Sequence, residues 1–112
     1  MSTGAEPAAE PATGEVRRTE DATGPLLVLT GWIDRETVRR FRLQVPPASW
    51  PARADLSAVT ALDVAGLELL VHLARKPART GRRLELLAVP DHLRPAIERA
   101  GLSPLLGPPA GS

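Results

Sequence analysis

Asp63-Val64-Ala65-Gly66 stands where chemistry would be expected in this chain. It follows Ala54-Asp55-Leu56-Ser57-Ala58-Val59, which reads as a buried strand, and it opens a second helical segment. Helix N-termini at strand ends present unpaired N–H groups and the positive end of the dipole, so they suit an anion or a modifiable hydroxyl. The chain places Ala65 where that hydroxyl would sit. The nearest hydroxyls are Ser57 and Thr60. Ser57 falls mid-strand and is expected to be buried. Thr60, at the strand end, is either a substitute phosphate acceptor or simply a turn residue. Asp34 and Asp63 both precede helical segments, and N-capping accounts for both carboxylates. Glu68 and His72, four residues apart, could share a metal. With no third ligand in view, a surface Glu–His pair is the simpler reading and no metal site is expected. His92 reads as a residue of the last helix's first turn. No Ser/His/Asp order, Gly-rich phosphate loop or His-Glu-x-x-His run occurs, so an enzyme is not expected and no cofactor is implied.

The elements that must position these residues follow in order. Glu15–Glu20 is a weak strand and Asp21-Ala22-Thr23-Gly24 a turn. Pro25-Leu26-Leu27-Val28-Leu29-Thr30 is a short apolar run of the kind a central strand shows. Gly31-Trp32-Ile33-Asp34 ends it and opens a helix whose inner stripe is Val38, Phe41 and Val45, with Arg35, Arg39 and Arg42 opposite. Pro46-Pro47 stops that helix, and Trp50, in the following loop, is read as a cover for the core edge. After the Ala54–Val59 strand, Thr60-Ala61-Leu62 carries the chain over the sheet end. A helix runs from Val64 to about Arg75, with Pro77 ending or kinking it. Thr80-Gly81 is an exit turn and Leu84–Val89 a further strand. A last helix turns Leu93, Ile97 and Ala100 inward before Gly101, and Leu102–Leu106 is a short edge strand or a packed tail. The order β-β-α-β-α-β-α predicts an α/β fold. It would be a small mixed sheet of four to five strands with helices packed mainly on one face.

The helix after Asp63 is apolar on two sides. At 100° per residue, Leu67, Leu70, Val71 and Ala74 fall within about 100° of arc and are taken as the core stripe. Ala65, Leu69 and Leu73 form a second face, with Glu68 and His72 beside it. That face is either covered by flanking helices or is a hydrophobic docking strip.

The bulk numbers set the limits. The 112 residues carry net charge +1, so no strong overall field steers the chain to nucleic acid or to an anionic membrane. Arg35, Arg39, Arg40 and Arg42 crowd one segment, and Arg75, Lys76, Arg79, Arg82 and Arg83 another. Without interleaved aromatics both read as solvated faces, and no nucleic-acid partner is expected. The absence of cysteine excludes disulfides, thiolate nucleophiles and Cys-based zinc sites. No apolar run approaches about 18 residues, so no membrane insertion is expected and the location is read as cytoplasmic. Residues 1–14 and 107–112 read as a disordered arm and tail, and residues 15–106 as one small domain.

In this order the stations resemble the STAS domain, the family shared by bacterial anti-sigma-factor antagonists and the cytoplasmic parts of sulphate transporters. Gly31-Trp32-Ile33-Asp34 is similar to the family's Gly-x-Leu-Asp, and Ala54-Asp55-Leu56-Ser57-Ala58-Val59-Thr60 to its Asp-Leu-Ser-x-Val strand. Asp63-Val64-Ala65-Gly66-Leu67 is similar to its Asp-Ser-Ser-Gly-Leu helix start. Gly81-Arg82-Arg83-Leu84 and Gly101-Leu102 fit the later stations. The resemblance implies a binding module of the antagonist type. Unphosphorylated, such a domain binds an anti-sigma factor that is often a serine kinase, and phosphorylation of the second serine ends the binding. Val64 replaces the first serine and Ala65 the phosphorylated one, so that switch is absent here. The implied partner-binding set is Asp63, Val64, Ala65, Gly66, Leu69, His72 and Leu73, with Trp32 and Asp34. The alternative is a STAS subunit of a lipid-transport ABC complex, docking on its ATPase.

Overall fold

The computed structural model describes residues 14–106. The expected arm over 1–13 and tail over 107–112 lie outside the described residues. Gly14, assigned to the arm on sequence, is buried, its carbonyl accepting from Arg40 Nη2 at 3.2 Å.

The chain opens with a hairpin, β1 (Glu15–Asp21) and β2 (Gly24–Ile33), paired antiparallel from Glu15↔Thr30 to Asp21↔Gly24. Asp21 closes the two-residue turn. Its Oδ1 accepts from the N–H groups of Thr23 (2.8 Å) and Gly24 (3.2 Å). The Arg53 guanidinium grips the same carboxylate through two bonds of 2.9 Å, and these bonds hold the Asp21 carboxyl well below the usual carboxylate range. Two crossovers follow, through α1 (Arg35–Gln44) to β3 (Arg53–Leu62) and through α2 (Val64–Ala78) to β4 (Glu85–Leu87). Both pairings are parallel, and the sheet order is β1-β2-β3-β4. The chain then passes a short 3₁₀ turn (Asp91–Leu93), α3 (Arg94–Arg99) and a second turn (Ser103–Leu105). The mixed four-stranded sheet with three helices is the architecture expected from the element order. Leu102–Leu106 forms a packed turn and not an edge strand, and β4 is shorter than the Leu84–Val89 run, ending where Ala88 takes φ +52°.

One core joins the layers: Leu27, Leu29 and Ile33 of β2, Leu56 and Val59 of β3, Phe41 of α1, Leu69, Leu70 and Leu73 of α2, and Ile97 of α3. Trp50 caps its edge as expected. It is buried, stacks on Phe41 at 5.7 Å, and donates from Nε1 to the Val45 carbonyl at 2.9 Å. α2 runs through Pro77, which falls in the last turn where only one bond is forfeited.

Two expectations about side-chain direction are corrected. Ser57 is exposed, not buried. The β2–β3 register slips between Val28↔Asp55 and Thr30↔Ala58, so the buried residues of β3 jump from Leu56 to Val59 and leave Ser57 and Ala58 both outside. That is the signature of a bulge, in which an extra residue breaks the two-residue alternation. The second correction concerns α2. Its inward face is Gly66, Leu69, Leu70, Leu73 and Pro77, whereas Leu67, Val71 and Ala74 are only partly buried at its flank. Leu69 (0% exposed) and Leu73 (1%) are therefore core residues and not a docking strip.

Candidate docking site

The parallel strands β2 and β3 end side by side, at Ile33↔Leu62. Each is followed at once by an aspartate that caps a helix. Asp34 Oδ1 accepts from the Thr37 N–H (2.9 Å) and the Thr37 hydroxyl (2.7 Å), and these two bonds hold its carboxyl below the ordinary range. Asp63 Oδ1 accepts from the Gly66 N–H at 3.1 Å, and the Asp63 N–H donates to the Ile33 carbonyl at 3.3 Å. Both carboxylates are thus occupied as caps, and two helix N-termini leave the same edge of the sheet. Ligand and partner sites of parallel sheets lie at that edge.

Gly66 explains the tightness of the corner. A Cβ built there would lie 2.7 Å from the Ile33 carbonyl oxygen, so the glycine lets α2 press on the end of β2. With Gly66 turned inward, Val64 points out and is 71% exposed, while Ala65 and Asp63 are half-buried beside it. Val64 and Leu43 are the exposed large hydrophobics of the described residues. Of the expected partner-binding set, Asp63, Val64 and Ala65 come together at this tip, with Trp32 half-buried and Asp34 at the end of the neighbouring strand. Gly66, Leu69 and Leu73 face the core. Thr60 is exposed, and its carbonyl lies 2.9 Å from His92 Nε2.

His72 lies on the side of α2 that faces α1. Its partner is not Glu68. Arg42 Nη2 donates to His72 Nδ1 at 2.7 Å, which fixes the neutral tautomer with hydrogen on Nε2. Burial, Arg42 and Arg75 push the His72 pKa below its ordinary value, against a weaker upward pull from Glu68. The unfolded chain therefore binds more protons on His72 than the folded chain does. Stability contributed by neutral His72 is complete above its unfolded value of 6.5 and is lost as pH falls from there through the folded value. Thermal melts taken from about pH 8 down to about pH 5 should show this loss, and His72→Gln should flatten the dependence. Carboxylates titrate below that window, so an unchanged slope in the variant would assign the effect elsewhere.

Among the described residues, no group of three His, Cys, Asp or Glu is placed to hold a metal. No helix among them is long and apolar enough to cross a membrane.

A family model described as "Mlab, STAS domain" matches residues 16–107. The chain belongs to the STAS domain family. None of the curated proteins matches its sequence. Among solved structures, this STAS domain is similar to the anti-sigma factor antagonist SpoIIAA in its unphosphorylated form, with a TM-score of 0.64 at 16% identity. The match covers 80% of this chain and 84% of the other. At that identity the likeness is one of fold. The STAS domain's basic residues are visible in sequence as two separate segments. Their meeting across α1 and α2 is not, because it depends on how the two helices align.

Proposed function

We propose that this STAS domain is a cytoplasmic, non-catalytic protein-interaction module of the anti-sigma-factor-antagonist type. In this reading it binds an anti-sigma factor of the serine-kinase class and is not switched by phosphate at residue 65. The observation that carries the reading is the exposed apolar tip at the start of α2, Val64 with Ala65, held out by a capped and tightly packed corner. An exposed Val on a rigid helix start suits docking, and Ala65 has no oxygen to modify. The match to the fold of an anti-sigma factor antagonist supports the same reading. The docking surface comprises Asp63, Val64 and Ala65, flanked by Trp32, Asp34 and His72; Leu69, Leu73 and Gly66 act by supporting it from below.

The test is capture of the anti-sigma kinases encoded in the same genome. Val64→Asp should keep the wild-type melting temperature and weaken capture by about tenfold or more, since a carboxylate replaces a desolvated contact. Full-affinity capture by that variant would remove the tip from the interface. A phosphate-transfer assay reads the missing switch. With kinase and ATP, wild-type chain should take up no phosphate and Ala65→Ser should take it up and then release the kinase. Uptake by the wild type that Thr60→Ala abolishes would make Thr60 the acceptor.

A second reading, a STAS subunit docking on the ATPase of a lipid-transport ABC complex, is favoured by the absence of any hydroxyl at residues 64 and 65. Capture of such an ATPase in place of a kinase, again through Val64, would select it.

A further inference from the structure

α1 and α2 follow parallel strands and run side by side in the same direction. Arg35 shares a depression with Ala65 and Glu68, and one to two turns further on Arg42 meets His72. A second hollow of about 350 Å³ continues from Arg42 and His72 to Arg75, Lys76 and Arg79, floored by Pro47, Ala48 and Trp50. Arg35, Arg39 and Arg42 of the first basic segment and Arg75, Lys76 and Arg79 of the second therefore line two adjoining hollows that share Arg42 and His72, together a shallow groove.

The charge in the groove is poorly compensated. Arg35, Arg75 and Arg79 have no carboxylate partner among the described residues, and Lys76 Nζ donates to the Ala48 carbonyl at 2.7 Å. Arg42 lies over the Trp50 ring at 5.4 Å and spends one N–H on neutral His72. Among the described residues, Glu68 is the only carboxylate lining either hollow. The C-terminal dipole ends of α1 and α2 ease part of this repulsion, but a dipole end amounts to about half a charge. Burial is the largest cause of the lowered proton affinity of His72, and Arg42 and Arg75 add to it.

We propose that this groove receives an acidic, extended segment of a protein partner, whose carboxylates bridge Arg35 and Arg42 at one end and Arg75, Lys76 and Arg79 at the other. The inference rests on the protein-docking reading above and adds the chemistry of what docks. The groove begins beside Ala65, so it is continuous with the proposed tip. From Ala65 to Arg79 the helix rises about 21 Å, which about six extended residues would span. A single-stranded nucleic acid would need an exposed stacking platform, and the one aromatic in the groove, Trp50, is already stacked between Phe41 and Arg42 and is 8% exposed. A lipid surface is flat and would meet the rims of the groove more readily than its floor.

The probe is a hexaglutamate peptide added to the full chain, read by NMR of the two histidine rings. Binding should move the His72 signals, raise its pKa as carboxylates offset Arg42 and Arg75, and leave the His92 ring signals in place. Arg75→Ala combined with Arg79→Ala, both exposed positions, should weaken binding by about tenfold or more. If that variant fails to fold, Arg35→Ala reads the groove from the other helix. Absence of any His72 response overturns the proposal. So does an equal response to free glutamate at matched carboxylate concentration, which is screening alone, or tighter retention on phosphatidylglycerol vesicles than on the peptide. The assay contains no partner. Failed kinase capture with peptide binding intact would remove the docking reading and leave the groove, and the reverse result would remove the groove alone.

Discussion

Leu69→Asp is expected to unfold the domain, not to release a partner from a folded one. Leu69 has no exposed surface and packs between α2 and the sheet, within the cluster that holds Leu27, Leu56 and Leu73. Removing a buried leucine side chain costs about 2–5 kcal/mol from lost transfer energy and the residual cavity. Placing a carboxylate there adds several kcal/mol more, whether it stays charged without a partner or takes up a proton. A domain of about 90 residues has a total stability near the lower end of about 5–15 kcal/mol. The sum equals or exceeds it, so circular dichroism should show no cooperative melt. Leu69→Ala should keep a melt at a clearly lower temperature. A folded Leu69→Asp with a near-native melt would mean that the side chain faces solvent and that α2 turns a different face to the sheet. The result also bears on function: loss of partner capture by Leu69→Asp says nothing about an interface, whereas loss by the folded Val64→Asp does.

The element order, the capping roles of Asp34 and Asp63, the placement of Trp50 and the STAS architecture are legible in the sequence because each rests on local chemistry. Capping needs an aspartate before a periodic run, and a central strand needs a short apolar run between turn signals. The features that sequence reasoning misplaces depend on packing. α2 carries apolar residues around most of its circumference, so periodicity alone admits either Leu67/Leu70/Val71/Ala74 or Leu69/Leu70/Leu73 as the inner face. Gly66 holds the answer, since a glycine in a helix's first turn marks the side that must approach something closely, and Leu69, Leu70, Leu73 and Pro77 fall on that side. Ser57 is misplaced for a related reason. A strict two-residue alternation does not survive a bulge, and here the extra residue of β3 between Asp55 and Ala58 is seen only in its pairing with Val28 and Thr30 of β2. The basic groove is invisible in sequence because its two halves lie some thirty residues apart and meet only when α1 and α2 align at Arg42 and His72.

Gly66→Ala provides the sharpest test of that corner because two effects oppose each other. In a helix, alanine is favoured over glycine by about 1 kcal/mol, so propensity alone would stabilise the variant. Against it, the new Cβ meets the Ile33 carbonyl oxygen at 2.7 Å, Leu62 Cδ2 at 3.1 Å and Ile33 Cβ at 3.3 Å. The leucine methyl can rotate away. The carbonyl cannot, because it belongs to β2 and accepts from the Asp63 N–H, the bond that ties the two strand ends together. Relief must come from lifting the first turn of α2, which strains that bond and the Asp63 cap together. Overpacking of this kind costs about 1–3 kcal/mol and more when backbone must move, so the clash outweighs the propensity gain. A net loss of about 1–2 kcal/mol, or roughly 4–16 °C in melting temperature for a domain of this size, is expected. Ala65→Gly one residue earlier is the matched control. There the side chain is half-exposed and meets no such obstacle, so the propensity term of about 1 kcal/mol acts together with the small loss of the methyl's packing, both in the destabilising direction. If Gly66→Ala instead raised the melting temperature, α2 would not be seated on β2 by this contact. If it lowered the melting temperature, the same displacement should carry Val64 away from its position and weaken partner capture at temperatures where the variant is still folded. Val64 is not touched by the substitution, so that loss would tie the rigidity of the corner to its use as a docking tip.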